Sequence, residues 1–205
     1  MAIVVLVSTA YSIDETALSS ARLARAAQFR NEEDRARCLC AGVALDTALR
    51  TVGLREKTVR IEKNKYGKPF LIDHPEHHFS LSHSGDYAVC ALSDAPIGVD
   101  IEQCRPRSFL SLAERYFTPD ECERLRALST NDRTTAFYRL WTAKESVLKA
   151  LGVGLSRPLN TVPITLGTTM STTVNDLSLQ EYPLCGYCLT IAGRELPHNI
   201  TFCLR

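Results

Sequence analysis

The stretch from Phe79 to Glu102 constrains the fold most. Two apolar strand-like runs, Phe79-Ser-Leu-Ser and Tyr87 to Leu92, are followed by a turn at Ser93-Asp-Ala-Pro96 and a third run, Ile97 to Ile101. Ahead of them, residues 17–52 carry apolar positions at helical spacing, interspersed with Arg22, Arg25, Arg30, Arg35 and Arg37, and Gly53 stands where a helix would stop. One or two basic helices are expected there, so the first half reads as helix followed by strands. Residues 105–132 read as a polar connector plus a helix around Thr118-Pro-Asp-Glu-Cys122, where Thr followed by Pro and acids is a helix start. A further helix is expected from near Asp132 to Gly152, because Phe137, Leu140, Trp141, Leu148 and Leu151 recur at three- and four-residue steps. Strand-like segments rich in Thr and Leu fill the tail. The coarse order thus repeats, and Gly85-Asp-Tyr87 before one strand is echoed by Gly186-Tyr187 before another.

The chain has 205 residues and 45% apolar composition, enough for one large domain or two small ones with a buried core. Twenty-four Lys and Arg against 23 Asp and Glu give a net charge of +1, so no global field draws it to nucleic acid or membrane. Any anion must be held locally. The opening Met1-Ala-Ile-Val-Val-Leu-Val-Ser lacks a basic start and its apolar run is short, so a first strand is expected rather than a secretion signal. No apolar stretch approaches the roughly 20 residues that span a bilayer, and a soluble, cytoplasmic protein is expected. The eight cysteines sit singly in apolar segments and read as buried free thiols. Cys185-Gly-Tyr-Cys188 is a close pair, but a structural zinc would want a second pair or matching histidines.

Three clusters carry chemistry. In Gly98-Val-Asp-Ile-Glu102 an apolar strand presents two carboxylates two residues apart, hence on one face. Such neighbours repel unless one is protonated or a cation lies between them, and oxygen-only ligands favour a hard ion such as magnesium. Two ordinary acids at a solvent-facing strand end would look the same. In Phe137-Tyr-Arg-Leu-Trp-Thr-Ala-Lys-Glu-Ser-Val-Leu-Lys-Ala150, helical stepping places Glu145 on the apolar stripe, where a carboxylate is costly unless paired or metal-bound; Lys149 lies one turn further on. A surface Glu–Lys helix pair is the alternative. Finally, Phe79-Ser-Leu-Ser-His-Ser-Gly85 with Tyr66-Gly-Lys-Pro69 brings hydroxyls, an imidazole and a lysine onto loops beside strands, groups that suit a phosphate. A Gly-x-Ser-x-Gly elbow does not occur. Together the clusters describe a site for a metal and a polyphosphate, which leaves many reactions open.

The order Tyr66-Gly-Lys-Pro69, Phe79-Ser-Leu-Ser-His-Ser84, Gly98-Val-Asp-Ile-Glu102 and Trp141-Thr-Ala-Lys-Glu-Ser146 with Lys149 resembles the 4′-phosphopantetheinyl transferases of the surfactin-synthetase-activating type. The match spans residues 65–155; the termini match loosely. The resemblance implies a mixed α+β fold of two similar helix-plus-antiparallel-sheet halves, residues 1–104 and 105–205, packed as a pseudo-dimer with the site at their interface. It implies that Asp100, Glu102 and Glu145 hold magnesium and that Lys68, Ser82 and His83 contact coenzyme A, His83 at the 3′-phosphate. Lys149 would neutralise the pyrophosphate, and Arg22, Arg25 and Arg37 would lie near the nucleotide. The implied reaction moves the phosphopantetheine arm of coenzyme A to a serine of an apo acyl- or peptidyl-carrier protein and releases 3′,5′-ADP. Asp100, Glu145 and Lys149 form the implied catalytic set, with Glu145 the candidate base. Shorter relatives trimerise and lack a second half, so a monomer is expected. A metal-dependent phosphodiesterase would use similar groups but needs a water nucleophile and usually more metal ligands. A non-catalytic coenzyme A binding module would tolerate the loss of Glu145 or Lys149.

Overall fold

The computed structural model describes residues 1–106, 108–197 and 200–203. Strand β1 (Ala2–Ser8) leads into helices α1 (Ser20–Ala26) and α2 (Glu32–Arg50), a short hairpin β2 (Ile61–Lys63) and β3 (Pro69–Leu71), and three strands, β4 (His78–Ser84), β5 (Tyr87–Ser93) and β6 (Ile97–Gln103). Then come α3 (Leu110–Tyr116), α4 (Pro119–Ala127), α5 (Thr130–Leu151), the small ladder β7 (Ile164–Thr165) and β8 (Ser171–Thr172), the hairpin β9 (Ser178–Leu184) and β10 (Tyr187–Gly193), and β11 (Ile200–Cys203).

Local chemistry explains the boundaries. Thr118 and Glu121 form a reciprocal capping box at the start of α4, with Pro119 in the first turn, as the sequence pattern requires. Helix α5 starts two residues ahead of Asp132 because the Ser129 hydroxyl accepts the Asp132 amide. It ends at Gly152, whose φ of 69° suits a residue without a Cβ. Helix α3 was not expected, and its N-cap, Phe109, forms no side-chain cap bond, so the sequence carries no start signal there.

Four layers result. One sheet has the order β11-β1-β5-β4, the other β6-β10-β9. Helix α2 covers the first: Val5, Val7, Ala88, Cys90 and Leu92 pack with Ala44, Leu45, Ala48 and Leu49. Helix α5 covers the second, with Phe137, Leu140, Val147 and Leu148 in one cluster with Cys188 and Ala192. Between the sheets lie Val4, Leu6, Val89, Ala91, Ile97, Val99, Ile101, Leu189 and Ile191. The two sets alternate along β1 and β5, as strands buried on both faces must.

The faint repeat in sequence is a physical one. Hairpins β4–β5 and β9–β10 have the same strand lengths and two-residue turns, with Ser84 opposite Tyr87 and Leu184 opposite Tyr187. They meet where the Tyr87 and Tyr187 rings pack edge to face, 5.0 Å between centroids. The halves exchange their last strands: β6 pairs antiparallel with β10, and β11 pairs with β1. The β11–β1 pair is parallel, among the described residues the one departure from the antiparallel sheets expected. All eight cysteines are free; contrary to expectation Cys185 is exposed, and the Cys104 and Cys188 sulfurs lie 3.5 Å apart.

Candidate active site

Strand β6 turns Ile97, Val99 and Ile101 into the core between the sheets, so Gly98, Asp100 and Glu102 face the other way, toward α5. Gly98 permits the contact. A Cβ there would lie 1.9 Å from the Ser146 carbonyl oxygen and 2.4 Å from the Ala150 amide nitrogen, both backbone atoms of α5. Helix and strand therefore touch directly, which brings Lys149 against Asp100 at 2.6 Å. The Lys149 ammonium also donates to the carbonyls of Val99 (3.1 Å) and Leu81 (3.5 Å), so it spans β6 and β4.

Strands β4 and β6 share no backbone ladder. Serine hydroxyls join them instead: Ser80 accepts the amide of Val99 (3.1 Å), Ser82 that of Ile101 (3.4 Å) and Ser84 that of Gln103 (3.1 Å). Ser82 in turn donates to Asp100 Oδ1 and Ser84 to Glu102 Oε2, both at 2.8 Å. The period of two along β4 puts the three hydroxyls on one face.

Asp100 is buried, and its Oδ2 has no hydrogen-bond partner. A buried carboxylate oxygen left unpaired is costly and marks a place for a ligand. Glu145 is half-buried; its carboxyl is pushed above the usual carboxylate range by burial, then by Asp100, with a smaller push from Glu102 and relief from Lys149. That mutual influence places the three acids in one electrostatic neighbourhood. Among the described residues no three acidic, imidazole or thiol groups are close enough to form a finished metal cage. The donor set still fits a hard divalent cation: the ligating atoms would all be carboxylate oxygens, one of them buried and unpaired.

Two clefts flank this centre. One, about 550 Å³, is lined by Arg22, Arg25, Ser82, His83 and Lys149 together with Phe29, Lys63 and Phe79. Arg22 is held by the buried Glu56 carboxylate at 3.3 Å, which also accepts the amide and hydroxyl of Ser19. The second, about 460 Å³, is lined by Arg37, His83, Ser84, Glu102, Gln103 and Trp141. Arg37 donates to the Gly85 carbonyl and pairs with Asp34 at 2.7 Å. His83 borders both clefts, and burial, followed by the nearby Arg37 charge, holds its imidazole below the usual range.

Lys68 is placed differently. Its ammonium donates to the carbonyls of Ile97 and Ala150, each at 3.2 Å, while Asn64 holds the Gly152 carbonyl at 2.8 Å; the loop thus clamps the end of α5. Burial lowers the Lys68 pKa to about 8. Lys68 lines a smaller pocket shared with Glu145 and Lys149 rather than the cleft that holds Arg22 and His83.

Sequence reasoning gave Ser84 no role of its own within the Phe79–Gly85 cluster, and left out Glu56, Ser19 and Lys63. Serine at every second position of a strand was the available signal for Ser84. The others come from distant loops and gave none.

Residues 96–200 match the family described as the 4′-phosphopantetheinyl transferase superfamily, and residues 8–95 match the 4′-phosphopantetheinyl transferase N-terminal family. A 4′-phosphopantetheinyl transferase of Bacillus subtilis is 36% identical over 151 residues, 73% of this chain and 67% of the relative. The chain belongs to the 4′-phosphopantetheinyl transferase superfamily. The superfamily member Sfp of Bacillus subtilis (strain 168) is 39% identical over 140 residues, 68% of this chain and 62% of Sfp. HetI of Nostoc sp., another 4′-phosphopantetheinyl transferase, is 39% identical over 158 residues, 74% and 66% of the two chains. The matched segments thus span about two thirds of these transferases. The boundary between the two family matches falls at 95/96, just before β6, the strand that pairs with the second half.

Proposed function

We propose that this chain transfers the 4′-phosphopantetheine arm of coenzyme A to a serine of an apo acyl- or peptidyl-carrier protein and releases 3′,5′-ADP. The observation that carries the reading is the meeting of Asp100, Lys149 and Glu145 where β6 touches α5, beside a cationic cleft large enough for a nucleotide. Family membership supplies the reaction class.

In this reading the nucleotide lies in the cleft with Arg22, Arg25 and His83, where the cations offset its phosphates. Ser82 lines the same cleft, and Lys68 supports the centre through the end of α5. Arg37 flanks His83 from the second cleft. Glu145, the carboxylate that α5 brings to this centre, takes the proton from the carrier serine. The serine oxygen forms a bond to the β-phosphorus, and the bond from that phosphorus to the bridging oxygen breaks. Lys149, freed from Asp100 to face the pyrophosphate, stabilises the charge that grows on the departing 3′,5′-ADP. Asp100, Glu102 and Glu145 would hold magnesium, which when bound neutralises the pyrophosphate and the developing negative charge.

The halves are residues 1–104 and 105–205, and because one chain supplies both sides of the crevice it acts as a monomer. No helix among the described residues is long and apolar enough to cross a membrane; we place the enzyme in the cytoplasm, with coenzyme A and its carriers. The test is to mix the protein with coenzyme A, magnesium and a panel of apo-carrier domains, and to look by mass spectrometry for the arm on the carrier serine. Addition to at least one carrier is expected, and addition to none contradicts the proposal.

A further inference from the structure

We infer that Ser84, through its hydroxyl between the Gln103 amide and the Glu102 carboxylate, is a positioning residue that aims Glu102 at the divalent cation, and that Ser82 does the same for Asp100. The inference rests on the functional reading above.

The geometry is that of a backing row. Asp100 and Glu102 are like charges on one strand face, and left alone they would splay apart. Each is instead held by a hydroxyl on the neighbouring strand at 2.8 Å. Each hydroxyl is itself anchored by a β6 amide, Ile101 for Ser82 and Gln103 for Ser84. A hydroxyl that accepts from one fixed amide has its proton directed elsewhere, and here it is directed at the acid. Serine therefore couples backbone to carboxylate: the acid cannot turn without breaking a bond to a rigid strand. Partners of this kind set the orientation of metal-binding carboxylates.

Ser80 provides an internal control. It sits on the same face of β4 and accepts the Val99 amide at 3.1 Å, in the same manner as the other two. The aligned position on β6 is Gly98, which offers no carboxylate. Loss of the Ser80 hydroxyl breaks the seam without releasing an acid. Loss of the Ser84 hydroxyl breaks the seam and also removes a 2.8 Å hydrogen bond from the Glu102 carboxylate.

The experiment titrates MnCl2 into the full chain with coenzyme A present, following free Mn2+ by electron paramagnetic resonance, for the wild type, Ser80→Ala, Ser84→Ala and Ser84→Thr. Thermal melts are recorded alongside. The expected result is Mn2+ binding weaker by about 10-fold or more in Ser84→Ala, the range for loss of an orienting partner. Ser84→Thr, which restores the hydroxyl, and Ser80→Ala should bind as the wild type does, while the two alanine variants lose similar thermal stability. Wild-type affinity in Ser84→Ala, or an equal loss in Ser80→Ala, overturns the inference and leaves the transferase reading standing. A wild type that binds no Mn2+ and loads no carrier overturns both. Should Ser84→Ala not fold, Ser84→Cys, which fills the space with a poor donor, must show the same weakening, and wild-type affinity there is equally decisive against the inference.

Discussion

Helix α5 carries two lysine–carboxylate contacts on different faces, and they differ in what surrounds them. Lys144 is fully buried, pairs with the buried Glu121 at 2.8 Å, and donates to the carbonyls of Leu159 and Val162. Glu121 spends its remaining capacity on the amides of Thr118 and Ile164. Lys149 pairs with Asp100 at 2.6 Å at the edge of a cleft, and there Asp100 Oδ2 is left without a partner and Glu145 has a raised pKa. The first pair is closed and knits α4, α5 and the 159–164 segment together. The second is open: Lys149 lines the cleft, and a buried oxygen of its partner Asp100 is left unpaired. Chemical similarity between two ion pairs thus says little; the count of satisfied lone pairs separates a structural pair from one that awaits a ligand.

The largest effect that sharpens the comparison is expected from Glu145→Gln. Turnover should fall by about 100-fold or more, as for loss of a general base. Stability should not fall: because the folded-state pKa is raised, ionised Glu145 costs stability once pH exceeds the ordinary 4.5, and glutamine removes that cost. Steady-state kinetics and a thermal melt on the same sample check both halves, and lost stability with retained turnover would reverse the assignment. Lys144→Met should do the opposite, costing about 3 to 5 kcal/mol by stranding the Glu121 charge. Chemical denaturation measures the loss, and the double variant Lys144→Met, Glu121→Gln, which removes the stranded charge and keeps an acceptor for the Thr118 and Ile164 amides, should recover part of it.

Gly98→Ala is expected to cost about 1 to 3 kcal/mol, because the new methyl group meets the backbone of α5 and not a movable side chain. Activity should drop with it, since the helix carries Glu145 and Lys149. The smallest effect concerns His83. Its folded-state pKa lies below the ordinary 6.5, so the unfolded chain binds the proton more readily and stability is lost as pH falls below 6.5. Denaturation at pH 7.5 and 5.5 should show a smaller acid loss in His83→Gln than in the wild type. An equal loss would mean that partial desolvation and the Arg37 charge do not hold the imidazole neutral.

Much of this was legible because it depends on short-range periodicity. The strand register of Asp100 and Glu102, the capping box at Thr118 and the stop at Gly152 each follow from a few adjacent residues. The echo between the glycine turns, read together with the family resemblance, corresponds to the duplicated hairpins. What stayed hidden depends on contacts across the chain. The exchange of β6 and β11 joins residues about ninety positions apart in one pairing and nearly two hundred apart in the other, and leaves no local trace. The division of labour between neighbours Lys144 and Glu145 likewise depends on which α5 face meets β6, and that is decided by the missing side chain at Gly98. The ammonium of Lys68 lies on the Ile97 carbonyl at the start of β6 and the Ala150 carbonyl near the end of α5, a position that no motif announces.

The most direct test of the open-pair account is anomalous diffraction from a crystal grown with coenzyme A and Mn2+. The account predicts a peak within bonding distance of Asp100 Oδ2 and a Glu145 oxygen, with Lys149 turned from Asp100 to the pyrophosphate. A bound coenzyme A whose metal peak lies away from both acids would contradict it.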